Sequence, residues 1–387
     1  MQAPERGFTQ TEFGQRTQRA QRLMREQRLD ALLLTTEPNV RYFSGFFSQF
    51  WHSPTRPWFL VVPVEGKPVA VIPEIGRSGM EATWVKDIRT WPAPRPADDG
   101  LSLLCGVLRE HRRFGRVGVT LGHETFLRMP AGDFQLLTER LNPVEIVDST
   151  ALVRSLRNIK SAQEIDKLRY ICTLTSNAFE ALPSLLRSGE TERENCQRFR
   201  IDLLERGVDD SPYLIAGSGP DGYDNIIMGP SDRVLAEGDV MIIDTGSTFD
   251  GYFSDFDRNF AFGRASDTLR HAYRTVYEST DAGFAAARPG ATMADLWRAM
   301  WTVLEAGGAQ GNTVGRMGHG LGMQLTEGPS VTPEDRTVLQ AGMVITLEPG
   351  MTFAPGKQMV HEENLLITEA GAEMLSQRAP AEIPVIQ

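Results

Sequence analysis

The chain has 387 residues, 41% of them hydrophobic, and a net charge of −10 with both signs mixed along its length. It is too long for one ordinary core and points to two domains. The charge argues against a nucleic-acid or anionic-membrane surface and leaves enzyme and binding module open. Cys105, Cys172 and Cys196 form no CxxC or pairing pattern, no run of about eighteen apolar residues offers a membrane span, and MQAPERGFTQ lacks the apolar stretch of a signal peptide. A reduced, cytoplasmic protein is expected.

Residues 1–15 are polar and expected to be loosely ordered, whereas Gln15 to Arg28 reads as an amphipathic helix. Leu29 to Thr35 is a short buried strand, followed by Glu37-Pro38-Asn39 as a turn. FFSQFWHSPTRPW, 46–58, is an aromatic loop that carries Trp51, His52 and Arg56. WFLVVPV, 58–64, and PVAVIP, 68–73, form a hairpin across Glu65-Gly66-Lys67. A helix over 101–111 and a strand over 116–121 complete an α/β alternation. The junction lies within 149–160, dividing a domain of 1–153 from one of 154–387. Ser161 and Glu164 form a capping box that opens a helix to about residue 186, and Thr191 with Glu194 marks another helix start. A Gly-rich stretch, 216–222, precedes Tyr223 and Asp224. Helices follow at 265–287 and 292–307, the second capped by Thr292. From 311 the chain is Gly-rich and strand-like, so the second domain is α+β.

The most informative stretch is VMIIDTGSTFDGYFSDFDRNFAF, 240–262. Two apolar runs flank an Asp-Gly pair, which reads as a β-hairpin. One register sets Asp244 opposite Asp255; if Asp250-Gly251 alone is the turn, Asp244 faces Asp257. Either way carboxylates from neighbouring strands come within about 5–8 Å on one face, which is unfavourable without a cation or proton. Three further segments carry candidates. His319 lies between glycines in GHGLG, open to a ligand. Glu348 closes the apolar strand MVITLEPG and needs a partner. Glu362 and Glu363 interrupt MVHEENLLIT on opposite faces. Such an oxygen-rich set with one imidazole suits two divalent ions of the Mn, Co, Fe or Zn type better than a structural zinc.

The order IIDTG, DGYFSDFDR, GHGLG, LEPG and HEENLLIT resembles the pita-bread metallopeptidase family, in the branch that holds creatinase, prolidase (Xaa-Pro dipeptidase) and aminopeptidase P. NVRYFSGF and LRNIKSAQEIDKLR resemble the same branch, so the likeness covers most of the chain. It implies a pita-bread α+β catalytic domain preceded by a smaller α/β domain. Asp244, Asp255, His319, Glu348 and Glu362 are then the ligands of two divalent metals, with Asp255 and Glu362 bridging and Glu348 also the general base. The implied reaction is hydrolysis of a peptide amide by a metal-bridged hydroxide. The resemblance also implies a homodimer in which Trp51, His52 or Arg56 contacts substrate.

Three positions depart from the family. Peptidase histidines are replaced by Met228 and Thr326, and an arginine of aminopeptidase P-like members by Val360. Thr326 is the candidate to replace a lost donor, and Tyr223 and Asp224 are candidates to line the pocket. Asp257 is expected to pair with Arg258 or a basic neighbour rather than bind metal, and His361 to point away from the metals. The first reading is a dinuclear-metal hydrolase of Xaa-Pro dipeptidase type acting on a dipeptide or small molecule, with manganese among the candidate ions. The alternative is a creatinase-like C–N hydrolase or lyase acting on a small zwitterion. A non-catalytic binding protein on the same scaffold is the third.

Overall fold

The computed structural model describes residues 2–311 and 315–387. Residues 1 and 312–314, within the stretches expected to be loose and strand-like, lie outside the described residues. The chain folds as two compact units, Glu5–Arg157 and Asn158–Gln387, the latter joined by residues 2–4. The helix Thr150–Asn158 runs without a break through residues 153 and 154, which carries the division to its end.

The first unit is built on a six-stranded sheet in the order Asp87–Trp91, Val69–Pro73, Phe59–Pro63, Ala31–Leu34, Arg116–Val119, Glu145–Asp148. Its three central apolar strands are buried at every residue, as strands covered on both faces should be. Two local expectations fail. The N-terminal helix begins at Gln10 rather than near residue 15, because the Thr9 side chain accepts the Glu12 N–H at 3.2 Å and Phe13 is buried in the first turns. The expected turn at Glu37-Pro38-Asn39 is the first turn of a helix, Glu37–Ser44, where proline is tolerated because its missing N–H has no intrahelical acceptor.

In the second unit, capping boxes start the helices Ala162–Leu185, Glu192–Glu205 and Met293–Ala306, and a fourth helix spans Asp267–Ala286. One sheet places Asp239–Phe249 between Asp210–Pro220 and Phe256–Phe262. Both faces of the middle strand are covered: Val240 and Ile242 pack into one core with Leu269 and Leu296, and Met241 and Ile243 into another with Ile171 and Phe199. A second sheet runs Glu327–Ser330, His319–Gly320, Val344–Leu347, Glu363–Thr368, Gly371–Met374, and Gly350–Ala354 pairs with Lys357–Val360 beside it. This is the α+β content expected after an α/β first unit. Among the described residues, no helix is long and apolar enough to cross a membrane.

Candidate metal centre

Two hairpins deliver the carboxylates, and both interrupt their ladders to do so. In the first, Phe249 faces Tyr252 and Asp244 faces Asp257. The turn is therefore Asp250-Gly251, with φ of +48° and +77°, the two positive values that a type I′ turn requires. The register with Asp244 opposite Asp255 is not the one adopted, since Asp-Gly accepts this turn cheaply. The strand is interrupted at Ser254-Asp255, between Tyr252–Phe253 and Phe256–Phe262, although the Ser254 N–H still donates to the Ser247 carbonyl at 2.9 Å. In the second hairpin, Leu347 faces Glu363 and Gly350 faces Val360. One register thus continues across a gap in which Glu348-Pro349 lies opposite His361-Glu362.

Buried backbone groups in and beside these gaps still need partners, and side chains, several of them from the opposite hairpin, provide them. The Asn364 side chain accepts the Asp255 N–H at 2.9 Å and donates to the Asp255 carbonyl. Asn259 donates to the Val360 carbonyl at 2.7 Å, and the Tyr223 hydroxyl accepts the Val360 N–H at 2.9 Å while donating to Asn259 at 2.8 Å. Arg258 donates to the carbonyls of Asp257 at 2.6 Å and Glu362 at 3.1 Å. Each hairpin thereby holds the main chain of the other.

His319 arrives from the neighbouring strand. Its N–H donates to Thr346 Oγ1 at 3.2 Å, and its Nδ1 lies 3.0 Å from the Gly320 carbonyl. A carbonyl only accepts, so the proton sits on Nδ1 and the Nε2 lone pair is turned outward. That lone pair lies 3.4 Å from Asp255 Oδ2 and 3.9 Å from Glu348 Oε1. The flanking glycine serves packing rather than access: a Cβ on Gly318 would stand 2.2 Å from the Thr346 carbonyl oxygen, and His319 itself is buried.

Donor atoms of Asp255, His319 and Glu362 all lie within 4.8 Å of one another. Asp244 Oδ1 and Glu362 Oε1 are shut off from solvent and accept no hydrogen bond. Burial pushes Asp244 up to about 6 against a backbone hydrogen bond from Thr245. Burial and then the Asp244 charge push Glu348 up to about 8, with Arg316 opposing. Asp255 and Glu362 rise well above the carboxylate range, through burial first and then their acidic neighbours. A lone pair aimed at acids, orphaned carboxylate oxygens and mutual repulsion are relieved together by cations. The donor set, four carboxylates and one imidazole, fits divalent metals.

The remaining candidates are placed differently from one another. Asp257 is buried and also raised, by burial and then Asp244. The expected pairing with Arg258 is not through its carboxylate: that guanidinium takes the Asp257 carbonyl and turns to Glu363 at 3.1 Å. Glu363, with Arg258, Arg378, Ser376 and the Ala379 N–H around it, is a fully bonded structural acid on the other side of the strand from Glu362. His361 lies there too, against Thr280 and Arg378 at 3.1 Å. Tyr223 is buried with its hydroxyl engaged by Asn259 and Val360, so it supports the main chain behind the carboxylates rather than facing a ligand. Asp224, Met228 and Thr326 are exposed. In the first unit, Arg128 pins the 46–58 loop by donating to the carbonyls of Phe50, Trp51, Thr55 and Arg56. Trp51 is buried there, Arg56 half-buried and His52 exposed. Asn364, Asn259 and Thr346 escaped the sequence reading. A polar residue just past a candidate ligand, as in Glu362-Glu363-Asn364, is the one local signal for the first of them.

Residues 166–369 match the family model of metallopeptidase family M24, and residues 16–159 that of the creatinase/prolidase N-terminal domain. The chain is similar to the probable dipeptidase PepE of Mycobacterium tuberculosis, 29% identical and covering 92% of both chains. Among solved structures it is similar to dipeptidase PepE from Mycobacterium ulcerans, with a TM-score of 0.86 and 28% identity over 98% of this chain and 99% of that one. It shares its fold with recombinant prolidase from Thermococcus sibiricus, at a TM-score of 0.87 and 23% identity over 98% of this chain and 100% of that one.

Proposed function

The chain belongs to metallopeptidase family M24, and on that premise we propose that this metal-dependent hydrolase is a dinuclear-metal dipeptidase of Xaa-Pro type. Asp244, Asp255, His319, Glu348 and Glu362 would hold two divalent ions. Bound there, Mn, Co, Zn or Fe supplies Lewis acidity, which polarises a peptide carbonyl and makes water acidic near neutral pH. Glu348, its side chain 22% exposed at the end of its strand, accepts the proton of the attacking water. His319 is held to one tautomer by the Gly320 carbonyl and keeps its orientation through turnover. Thr326 donates a hydrogen bond to substrate from the turn that leads into Glu327–Ser330, and in a homodimer Trp51, His52 or Arg56 of one subunit would contact the substrate of the other. A cytoplasmic homodimer belongs to the same proposal; three free, buried cysteines support the reducing compartment.

The observation that carries this reading is the pair of buried carboxylate oxygens of Asp244 and Glu362 that accept no hydrogen bond, with donor atoms of Glu362, Asp255 and His319 all within 4.8 Å of one another. The non-peptidase alternative drawn from Met228 and Thr326 is not favoured, because relatives similar along nearly their whole length are named dipeptidases. A non-catalytic role is set aside because every candidate ligand position keeps a donor side chain. Protein purified without chelator, assayed for metal content and against a panel of Xaa-Pro dipeptides, tests the proposal. Two ions per chain and turnover that chelation removes are expected. Full metal occupancy with no hydrolysis of any dipeptide would end it.

A further inference from the structure

One buried acid beside the candidate centre has no task in the proposed reaction. Asp257 is 1% exposed, and its cross-strand partner is Asp244. Directly paired antiparallel residues project to one face with Cβ atoms about 4.5–5.5 Å apart, so the two carboxylates stand side by side. The base next in sequence does not answer them: the Arg258 guanidinium turns to the carbonyls of Asp257 and Glu362 and to Glu363. Among the described residues, the side chain that donates to the Asp257 carboxylate is Asn259, at a long 3.4 Å. Across the pair, Asp244 Oδ1 is shut off from solvent and accepts no hydrogen bond.

We propose that Asp257 is a sixth ligand of the centre, joining Asp244 on one ion and favouring manganese over zinc there; the proposal rests on the dinuclear-metal reading above. Two acids side by side in the interior, with no guanidinium bonded to either, call for a cation. Asp257 also adjoins the second hairpin. Asn259 donates to it and, at 2.7 Å, to the carbonyl of Val360, on the strand that leads to Glu362. Glu362 is itself buried and has an oxygen that accepts no hydrogen bond. A sixth donor raises both the oxygen count and the ligand number. Manganese takes octahedral, oxygen-rich shells, whereas zinc is satisfied by four ligands with imidazole among them. The added carboxylate therefore matters more to manganese than to zinc. The sequence expectation, that Asp257 pairs with a base and leaves the metals alone, is thereby reversed.

The test uses the full-length protein, stripped of metal and titrated by calorimetry with Mn²⁺ and with Zn²⁺, singly and in competition. Asp257→Asn keeps the shape of the side chain and removes its charge. Mn²⁺ affinity should fall by about 10–100-fold, a range that loss of an outer-shell group already reaches. Zn²⁺ affinity should fall by less, so that the ratio of the two affinities moves toward zinc by about tenfold. Asp257→Ser, which removes the carboxylate altogether, should move the ratio at least as far and serves if the first variant does not fold. A carboxylate that acts only as a neighbouring charge would weaken both ions alike, since both are divalent. Equal losses for the two ions, or no loss for either, overturn the assignment and leave the metal reading standing. Wild-type protein that binds neither ion ends the metal reading, and this proposal with it.

Discussion

The central sheet of the first unit and the two acidic hairpins of the second solve the same backbone problem in opposite ways. Ala31–Leu34 pairs residue for residue with Leu60–Pro63, and a side chain enters at the end of the ladder, where Gln21 donates to the Pro63 carbonyl at 2.9 Å. The hairpins interrupt their strands at Asp255 and again at Glu348 and Glu362; there Asn364 and Arg258 hold main-chain groups of Asp255 and Glu362, and Asn259 holds the adjoining Val360 carbonyl. A continuous ladder excludes charge and gives stability. An interrupted one admits charge into the interior, and its geometry then rests on a few polar side chains. The contrast separates residues that hold the fold from residues that hold the site.

The largest expected effect comes from removing one charge while leaving the main-chain support in place. Asp255→Asn keeps the backbone that Asn364 holds, so the fold should persist. Activity should fall by about 10³-fold or more, and metal content should drop. Chelated Asp255→Asn should nonetheless melt above chelated wild type at pH 8, because one of several crowded carboxylates is gone. A variant that melts lower would mean that the cluster's repulsion is not what limits the metal-free protein.

The same repulsion sets a pH dependence. Glu348 is raised from 4.5 to about 8, and Asp244 from 3.8 to about 6. For acids raised in the folded state, stability is intact below the unfolded values and is lost as pH climbs through the folded ones. Chelated protein should therefore lose stability, on the order of a few kcal/mol, between about pH 4 and 8. Metal should flatten the slope. Thermal melts across that range, with and without chelator, give the answer, and a rising curve in chelator would contradict the burial of these acids.

Third in size is the splice itself. Asn364→Ala leaves the Asp255 N–H and carbonyl without their partner, and metal affinity should weaken by about 10–100-fold. Leu33→Ala, in the unbroken sheet, should cost about 2–5 kcal/mol of stability with metal affinity untouched. Calorimetric metal titration beside thermal melts separates the two. Equal losses of metal affinity in both variants would erase the distinction between the regions.

What the sequence made legible follows the range of each signal. Capping boxes at Ser161, Thr191 and Thr292 are local and mark their helices. Asp250-Gly251 is local and identifies a turn, though the choice between two registers needed the φ values. Clustering of Asp244, Asp255, His319, Glu348 and Glu362 was legible through resemblance, since nothing in the spacing joins a hairpin at 250 to a strand at 348. The splice was not legible, because Asn364 and Asp255 are 109 residues apart and Asn259 and Val360 101 apart. Tyr223 misled for the same reason: a tyrosine in a glycine-rich stretch looks available, and its two hydroxyl partners come from distant strands.

The smallest effect tests whether the turn or the splice positions Asp255. Gly251 has φ of +77°, where an alanine is strained by about 1–2 kcal/mol. Gly251→Ala should therefore lower the melting temperature by a few degrees, roughly 2–4 °C per kcal/mol for a unit of this size. Between this turn and Asp255 stand the pairs Phe249–Tyr252 and Thr248–Phe253, and Asp255 is held separately by Asn364 from the other hairpin. Strain at the turn should dissipate in those pairs before it reaches the carboxylate. Metal affinity in Gly251→Ala should thus stay within about twofold of wild type, as for sites with no shared partner. If affinity instead falls with stability, the turn sets the carboxylate and the side chains only follow it. If it holds while Asn364→Ala weakens binding, the site's geometry belongs to the contacts across the hairpins and not to the hairpin that bears the acid.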